Sequence, residues 1–143
     1  MTRFAAEIVP APESIAQLTE DAAGFLRSAG VDPRAVHHVS LVIDELLTNL
    51  FSHGDSADVP ASIALEVTPE AVSGKIEDRG KPFDPRTATR PDVSAGADDR
   101  EVGGLGLELV RNLTSALNYR SDGRQNSTTF SVLRGEIAKP RSD

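Results

Sequence analysis

The stretch PRAVHHVSLVIDELLTNLFSHG, residues 33–54, decides how the rest of this 143-residue chain is read. Val39, Val42, Ile43, Leu46, Leu47 and Leu50 recur at the spacing of one helix face. Asp32 reads as the N-cap, Pro33 as the first helical residue and Gly54 as the C′ residue that stops the helix. Glu45, Asn49 and His53 climb one edge of the apolar stripe. A four-residue step drifts only about 40° around a helix, so the three form a single narrow line. Taken alone, an acid and an amide beside a stripe are ordinary boundary residues. Their meaning depends on the rest of the chain.

Toward the N-terminus, Phe4, Ala6 and Ile8 alternate with smaller or polar neighbours, so residues 3–9 read as a half-buried strand that ends before Pro10 and Pro12. Ser14 with Gln17 resembles a capping box, and Ile15, Leu18, Ala22, Phe25 and Leu26 make a first amphipathic helix closed by Gly30. Toward the C-terminus, residues 55–61 read as a loop and Ile63, Leu65 and Val67 as a strand. After a turn at Pro69-Glu70, Val72, Gly74, Ile76 and Asp78 share one face of the next strand. Asp78 thereby points to the buried side, where a carboxylate is costly unless a ligand or strong donor meets it.

From Arg79 to Val102 no period lasts, and a run of this kind inside a compact domain usually serves a function, often as a lid. Gly103-Gly104-Leu105-Gly106 then feeds a helix carrying Leu109, Val110, Leu113 and Leu117. Free N–H groups at such a helix start can hold phosphate oxygens, and glycine lets the backbone come close. Residues 117–121 read as a strand, Asp122-Gly123-Arg124 as a hairpin turn, and Ser127 to Leu133 as the last strand, before a frayed tail at 135–143.

Length and composition fit one domain over residues 1–143, with no repeat or linker. A net charge of −7 argues against nucleic acid as a partner, because phosphate backbones demand clustered Lys and Arg. With no Cys there is no disulfide, thiolate or zinc-thiolate chemistry. Neither a signal-peptide core nor a transmembrane run is present, so no membrane association and a cytoplasmic location are expected.

Each polar signal has a plain reading by itself, but their order is harder to dismiss. An acid and an amide on a helix, Asp78-Arg79-Gly80 at a strand end and a glycine-rich helix start together supply the parts of a nucleotide site. Asp78 can accept from an exocyclic amino group, Gly104 and Gly106 can cradle phosphates, and Asn49 offers an oxygen to Mg²⁺.

These residues resemble the motifs of the GHKL-type, histidine-kinase-like ATPases. The N-box matches Glu45-Leu46-Leu47-Thr48-Asn49, the next box Asp78-Arg79-Gly80-Lys81-Pro82-Phe83, and the glycine box Gly103-Gly104-Leu105-Gly106-Leu107. The Glu-x-x-x-Asn-x-x-x-His row and the single-domain length look most like the bacterial anti-sigma-factor serine/threonine kinases of partner-switching systems. A histidine kinase would add a dimerising hairpin with a phosphoacceptor His, whereas His37, His38 and His53 all fall on the helix already read.

The resemblance implies an α/β (α+β) two-layer sandwich of the Bergerat ATP-binding type, a mixed, mostly antiparallel sheet covered on one face by about three helices. It implies ATP and Mg²⁺ as cofactors, an ATP lid at about 84–103, Asp78 at adenine with Gly80 and Phe83 beside it, and Asn49 on Mg²⁺. Glu45 becomes the base that polarises the attacking hydroxyl, the stretch from Gly103 to Leu107 lies at the phosphates, Thr128 near adenine and Arg100 at the γ-phosphate. Implied partners are a small STAS-like anti-sigma-factor antagonist and a sigma factor or other regulatory target, and a homodimer is allowed. Two departures stand out: Gln17 where the family often has an arginine that contacts sigma and antagonist, and Pro82 in place of a second glycine. A nucleotide-gated module that sequesters partners without transferring phosphate is the alternative; retention of Glu45 favours the kinase.

Overall fold

The computed structural model describes residues 2–9, 11–53, 60–87 and 104–134. The elements in order are β1 (Arg3–Ile8), α1 (Pro12–Ser28), α2 (Pro33–His53), β2 (Ala61–Val67), β3 (Ala71–Asp78), α3 (Gly104–Leu113), β4 (Ala116–Ser121) and β5 (Asn126–Leu133). The strands form one five-stranded sheet in the order β1-β2-β3-β5-β4.

Every strand pairing among the described residues is antiparallel, which bears out the mostly antiparallel sheet expected and leaves no parallel pair among them. Connectivity explains the uniform sense. Two helices, not one, separate β1 from β2, so the chain re-enters the sheet in the opposite sense. Strands β3 and β4, with helix α3 among the described residues between them, run the same way, but β5 lies between them and is antiparallel to both.

The start of α1 also differs from expectation. No capping box forms at Ser14; the helix begins two residues earlier at Pro12, after an extended Ala11 with no side-chain cap. Proline at the first helical position has no N–H to satisfy and a φ already suited to the helix. Gln17 donates along the helix to Asp21 Oδ1 at 2.9 Å. At the other end Gly30 takes φ of +83°, and the Val31 N–H reaches Leu26 O while Gly30 N–H reaches Arg27 O, both at 3.0 Å. These two bonds close α1 as a Schellman motif and turn the chain into α2. There Asp32 Oδ2 accepts from Ala35 N at 3.1 Å, as expected of the N-cap.

The stripe read on α2 is the centre of the core: Val39, Val42, Ile43, Leu46, Leu47 and Leu50 are all buried. They face Ile63 and Leu65 of β2, Val72 and Ile76 of β3, and Phe130 and Val132 of β5, which strand alternation sends to the same side. Helix α2 packs between α1 and α3. The other face of the sheet carries Ser62, Glu66, Ser73, Lys75, Glu77 and Thr129, with a Lys75–Glu77 ion pair at 3.4 Å. Among the described residues, helices therefore cover one face only. No helix among the described residues is long and apolar enough to cross a membrane.

Candidate functional site

Among the described residues, two groups of polar side chains break the apolar interior. The first stands at the C-terminal end of β3. Asp78 is only 4% exposed, held on the core face by the same alternation that buries Val72 and Ile76. Its Oδ2 accepts from Gly80 N–H at 2.9 Å and from Asn126 Nδ2 at 3.1 Å, while Oδ1 meets no donor among the described residues. The turn through Gly80 thus keeps its side-chain bond with Pro82 in the motif. Asn126, opposite Asp78 in the β3–β5 register, also donates to Gly80 O at 2.8 Å. Its Oδ1 accepts from Ser121 Oγ at 2.6 Å and Tyr119 Oη at 3.3 Å. The Tyr119 hydroxyl in turn accepts from Phe83 N–H at 3.1 Å, and the Phe83 ring is partly buried against the core. Thr128 lies two residues along β5, buried opposite Ile76, with no hydrogen bond to its hydroxyl from the described residues.

Just past this end the chain is pinned again. Arg86 pairs with Asp84 at 2.9 Å and holds its carboxyl below the ordinary range, chiefly through the side-chain hydrogen bond. Arg111 of α3 donates to Pro85 O at 2.7 Å.

The second group joins α2 to α3. Asn49 is 4% exposed and its Nδ2 donates to Glu45 O one turn back at 2.7 Å, leaving Oδ1 without a donor among the described residues. Glu45 is half-buried, and no described cation pairs with it. Burial first, and the Asp44 charge second, push its carboxyl above the ordinary range. The carboxylate rests against Gly106: a Cβ at that position would collide with Glu45 Oε1 and lie 2.7 Å from its carboxyl carbon. With glycine at this position the acid of α2 can lie against the first turn of α3; a larger residue would push the carboxylate aside. Leu107, next along α3, is buried in the core.

An acid against a glycine-rich helix start, and a buried aspartate with one oxygen left to accept, lie within one matched stretch: the sequence profile of the histidine kinase-like ATPase domain covers residues 8–132. The chain belongs to the histidine kinase-like ATPase family. It is 38% identical over 96 residues to the serine/threonine-protein kinase BtrW of Bordetella bronchiseptica, a match covering 65% of this chain and 68% of BtrW. Among solved structures it is similar to the RsbU and RsbW domains of Rv1364c from Mycobacterium tuberculosis, with a TM-score of 0.66 and 14% identity over 93% of this chain. The blue-light activated histidine kinase EL346 of Erythrobacter litoralis gives 0.54 at 20% identity over 74% of this chain. This chain spans 33% and 32% of those two solved chains, and at such identities the likeness is one of fold.

In this histidine kinase-like ATPase the residues picked out by sequence fall unevenly. Glu45, Asn49 and Gly106 come together at the α2–α3 junction; Asp78, Gly80, Phe83 and Thr128 lie at the β3–β5 end. Gly104 and Leu105 open α3. Gly103, Arg100, most of the expected lid at 84–103 and the tail at 135–143 lie outside the described residues, as does the His53 side chain. Sequence reading passed over Asn126, Tyr119, Ser121 and Arg111. The last strand begins at Asn126, one residue before the expected start, and that residue is the partner of Asp78. The signal was the Asp122-Gly123 turn, which sets Ser121 opposite Asn126.

Proposed function

We propose that the protein is an ATP-dependent serine/threonine protein kinase of the partner-switching type, phosphorylating a small STAS-like antagonist and sequestering a sigma factor or other regulatory target in the cytoplasm. The observation that carries this reading is the Glu45 carboxylate, raised in affinity for a proton and seated against Gly106 at the start of α3. A helix start of this kind is suited to phosphate oxygens, so the base stands where a phosphoryl acceptor would approach. The identity with the serine/threonine-protein kinase BtrW supports the same assignment.

In this reading Asp78 Oδ1 accepts from the adenine amino group, with Gly80, Phe83 and Thr128 around the base. The backbone from Gly103 through Leu107 cradles the phosphates, and Arg100 reaches the γ-phosphate. Asn49 Oδ1 fits a hard cation, being a buried oxygen whose amide nitrogen is already engaged, and Asn49 would hold Mg²⁺ there. Mg²⁺ supplies charge neutralisation at the phosphates. Glu45 takes the proton of a serine or threonine hydroxyl as its oxygen bonds the γ-phosphorus, and ADP leaves.

Glu45→Ala in the full chain tests the assignment. Nucleotide affinity by calorimetry should stay within a few-fold, while transfer of labelled phosphate to the antagonist should fall by about 10² to 10⁴. Wild type that binds the antagonist in a nucleotide-dependent way yet transfers nothing would make the protein a nucleotide-gated binding module.

A further inference from the structure

Asn126 is 3% exposed, and all of its hydrogen-bonding capacity is used: two donors to Asp78 Oδ2 and Gly80 O, two acceptor positions filled by Ser121 and Tyr119. Gly80 O can only accept, so the amide nitrogen must face it and the orientation of Asn126 is fixed by the network. The same nitrogen, with Gly80 N–H, fills Oδ2 of Asp78 and leaves Oδ1 as the carboxylate oxygen with no donor among the described residues. Tyr119 extends the network to the Phe83 backbone, on the segment that follows Gly80.

We infer that Asn126 is a positioning residue that sets base specificity. By locking the Asp78 carboxylate it makes the site an acceptor of fixed direction, which takes a purine presenting an amino group and rejects the 6-oxo purine that presents a second acceptor. The inference rests on the nucleotide-binding reading of Asp78. A polar group left facing a mismatched partner in a buried site is expensive, which is how one hydrogen bond becomes strong discrimination. Without Asn126, Oδ2 keeps one donor of two and the carboxylate can turn, so the direction on which rejection depends is lost.

The experiment measures ADP and IDP binding to the full chain by calorimetry, for wild type, Asn126→Ala and Tyr119→Phe. Wild type should favour ADP by at least about tenfold. Asn126→Ala should bring the two affinities within about threefold, mainly by weakening ADP, and Tyr119→Phe should lower the ratio part of the way because it removes only one hydroxyl from the network. A residue serving stability alone would weaken both nucleotides together and leave the ratio unchanged, and that result in Asn126→Ala overturns the inference while leaving the ATPase reading intact. Should Asn126→Ala fail to fold, Tyr119→Phe decides: a lowered ratio supports the inference and a wild-type ratio overturns it. Wild type that binds neither nucleotide removes both the ATPase reading and the inference.

Discussion

Glu45 carries opposing demands. Burial and the neighbouring Asp44 raise its pKa, so the folded chain holds this proton more tightly than the unfolded chain does. The stability tied to the proton is fully present below the unfolded value and is lost as pH rises through the higher folded value. Ionising this half-buried carboxylate therefore costs stability, and the proposed role as a base is what would retain it. Glu45→Gln, which keeps the shape and removes the charge, should melt at or above the wild-type temperature at about pH 7, with the difference closing at about pH 4. Phosphate transfer by wild type should rise with pH across the same window, because only the ionised form accepts a proton. Thermal melts and a pH–rate profile check both halves; a Gln variant that melts lower at neutral pH would mean that the carboxylate is a structural partner.

Two glycines show how elements meet, and they should respond to alanine in opposite ways. Gly74 of β3 lies beneath the Phe130 ring, and a Cβ there would strike ring atoms that are themselves buried in the core. Gly74→Ala forces the ring into a filled interior, at about 1–3 kcal/mol. Gly106 meets only the end of the Glu45 side chain, which can swing aside, and alanine in a helix gains up to about 1 kcal/mol over glycine. Gly106→Ala should thus leave the denaturation midpoint unchanged or higher while slowing phosphate transfer more than it weakens nucleotide binding. Urea melts with paired transfer assays separate the two variants, and equal losses of stability would contradict the assignment of Gly106. Neither contact was legible in the sequence, for a physical reason. The stripe of α2 and the alternation of β3 are local periodicities, so Val42, Leu47 and Ile76 could be placed from spacing alone. The meeting of Gly106 with Glu45, and of Asn126 with Asp78 across 48 positions, depends on how distant elements pack and pair. Asp78 announced a buried demand for donors; which residue meets it waited on the register of β5.

At the scale of the molecule, antiparallel closure of the sheet gathers Asp78 and Thr128 on the helix-covered side, and α3 brings Gly106 to α2. The one-sided layering and the mostly antiparallel sheet were implied by the family resemblance; that every described pairing is antiparallel follows from connectivity. The chain is acidic, with a net charge of −7, and charge at this scale governs association. If the product of the reaction is a phosphorylated antagonist, modification adds about −1.5 to −2 charges to a partner facing this acidic surface. Repulsion between surface charges near contact is on the order of 1 kcal/mol in water, so the phosphorylated antagonist, or its Ser→Asp mimic, should bind several-fold more weakly than the unmodified protein. Screening separates this origin from a local steric one. At about 0.01 M salt the Debye length is about 30 Å and the whole surface contributes, whereas at about 1 M it shrinks to about 3 Å and only direct contacts remain. The affinity ratio between unmodified and modified antagonist, measured with ADP present, should therefore fall toward unity as salt rises. A ratio that holds constant over that range would place the origin of release in the contact itself, where the added group clashes or loses water, and would remove net charge from the mechanism.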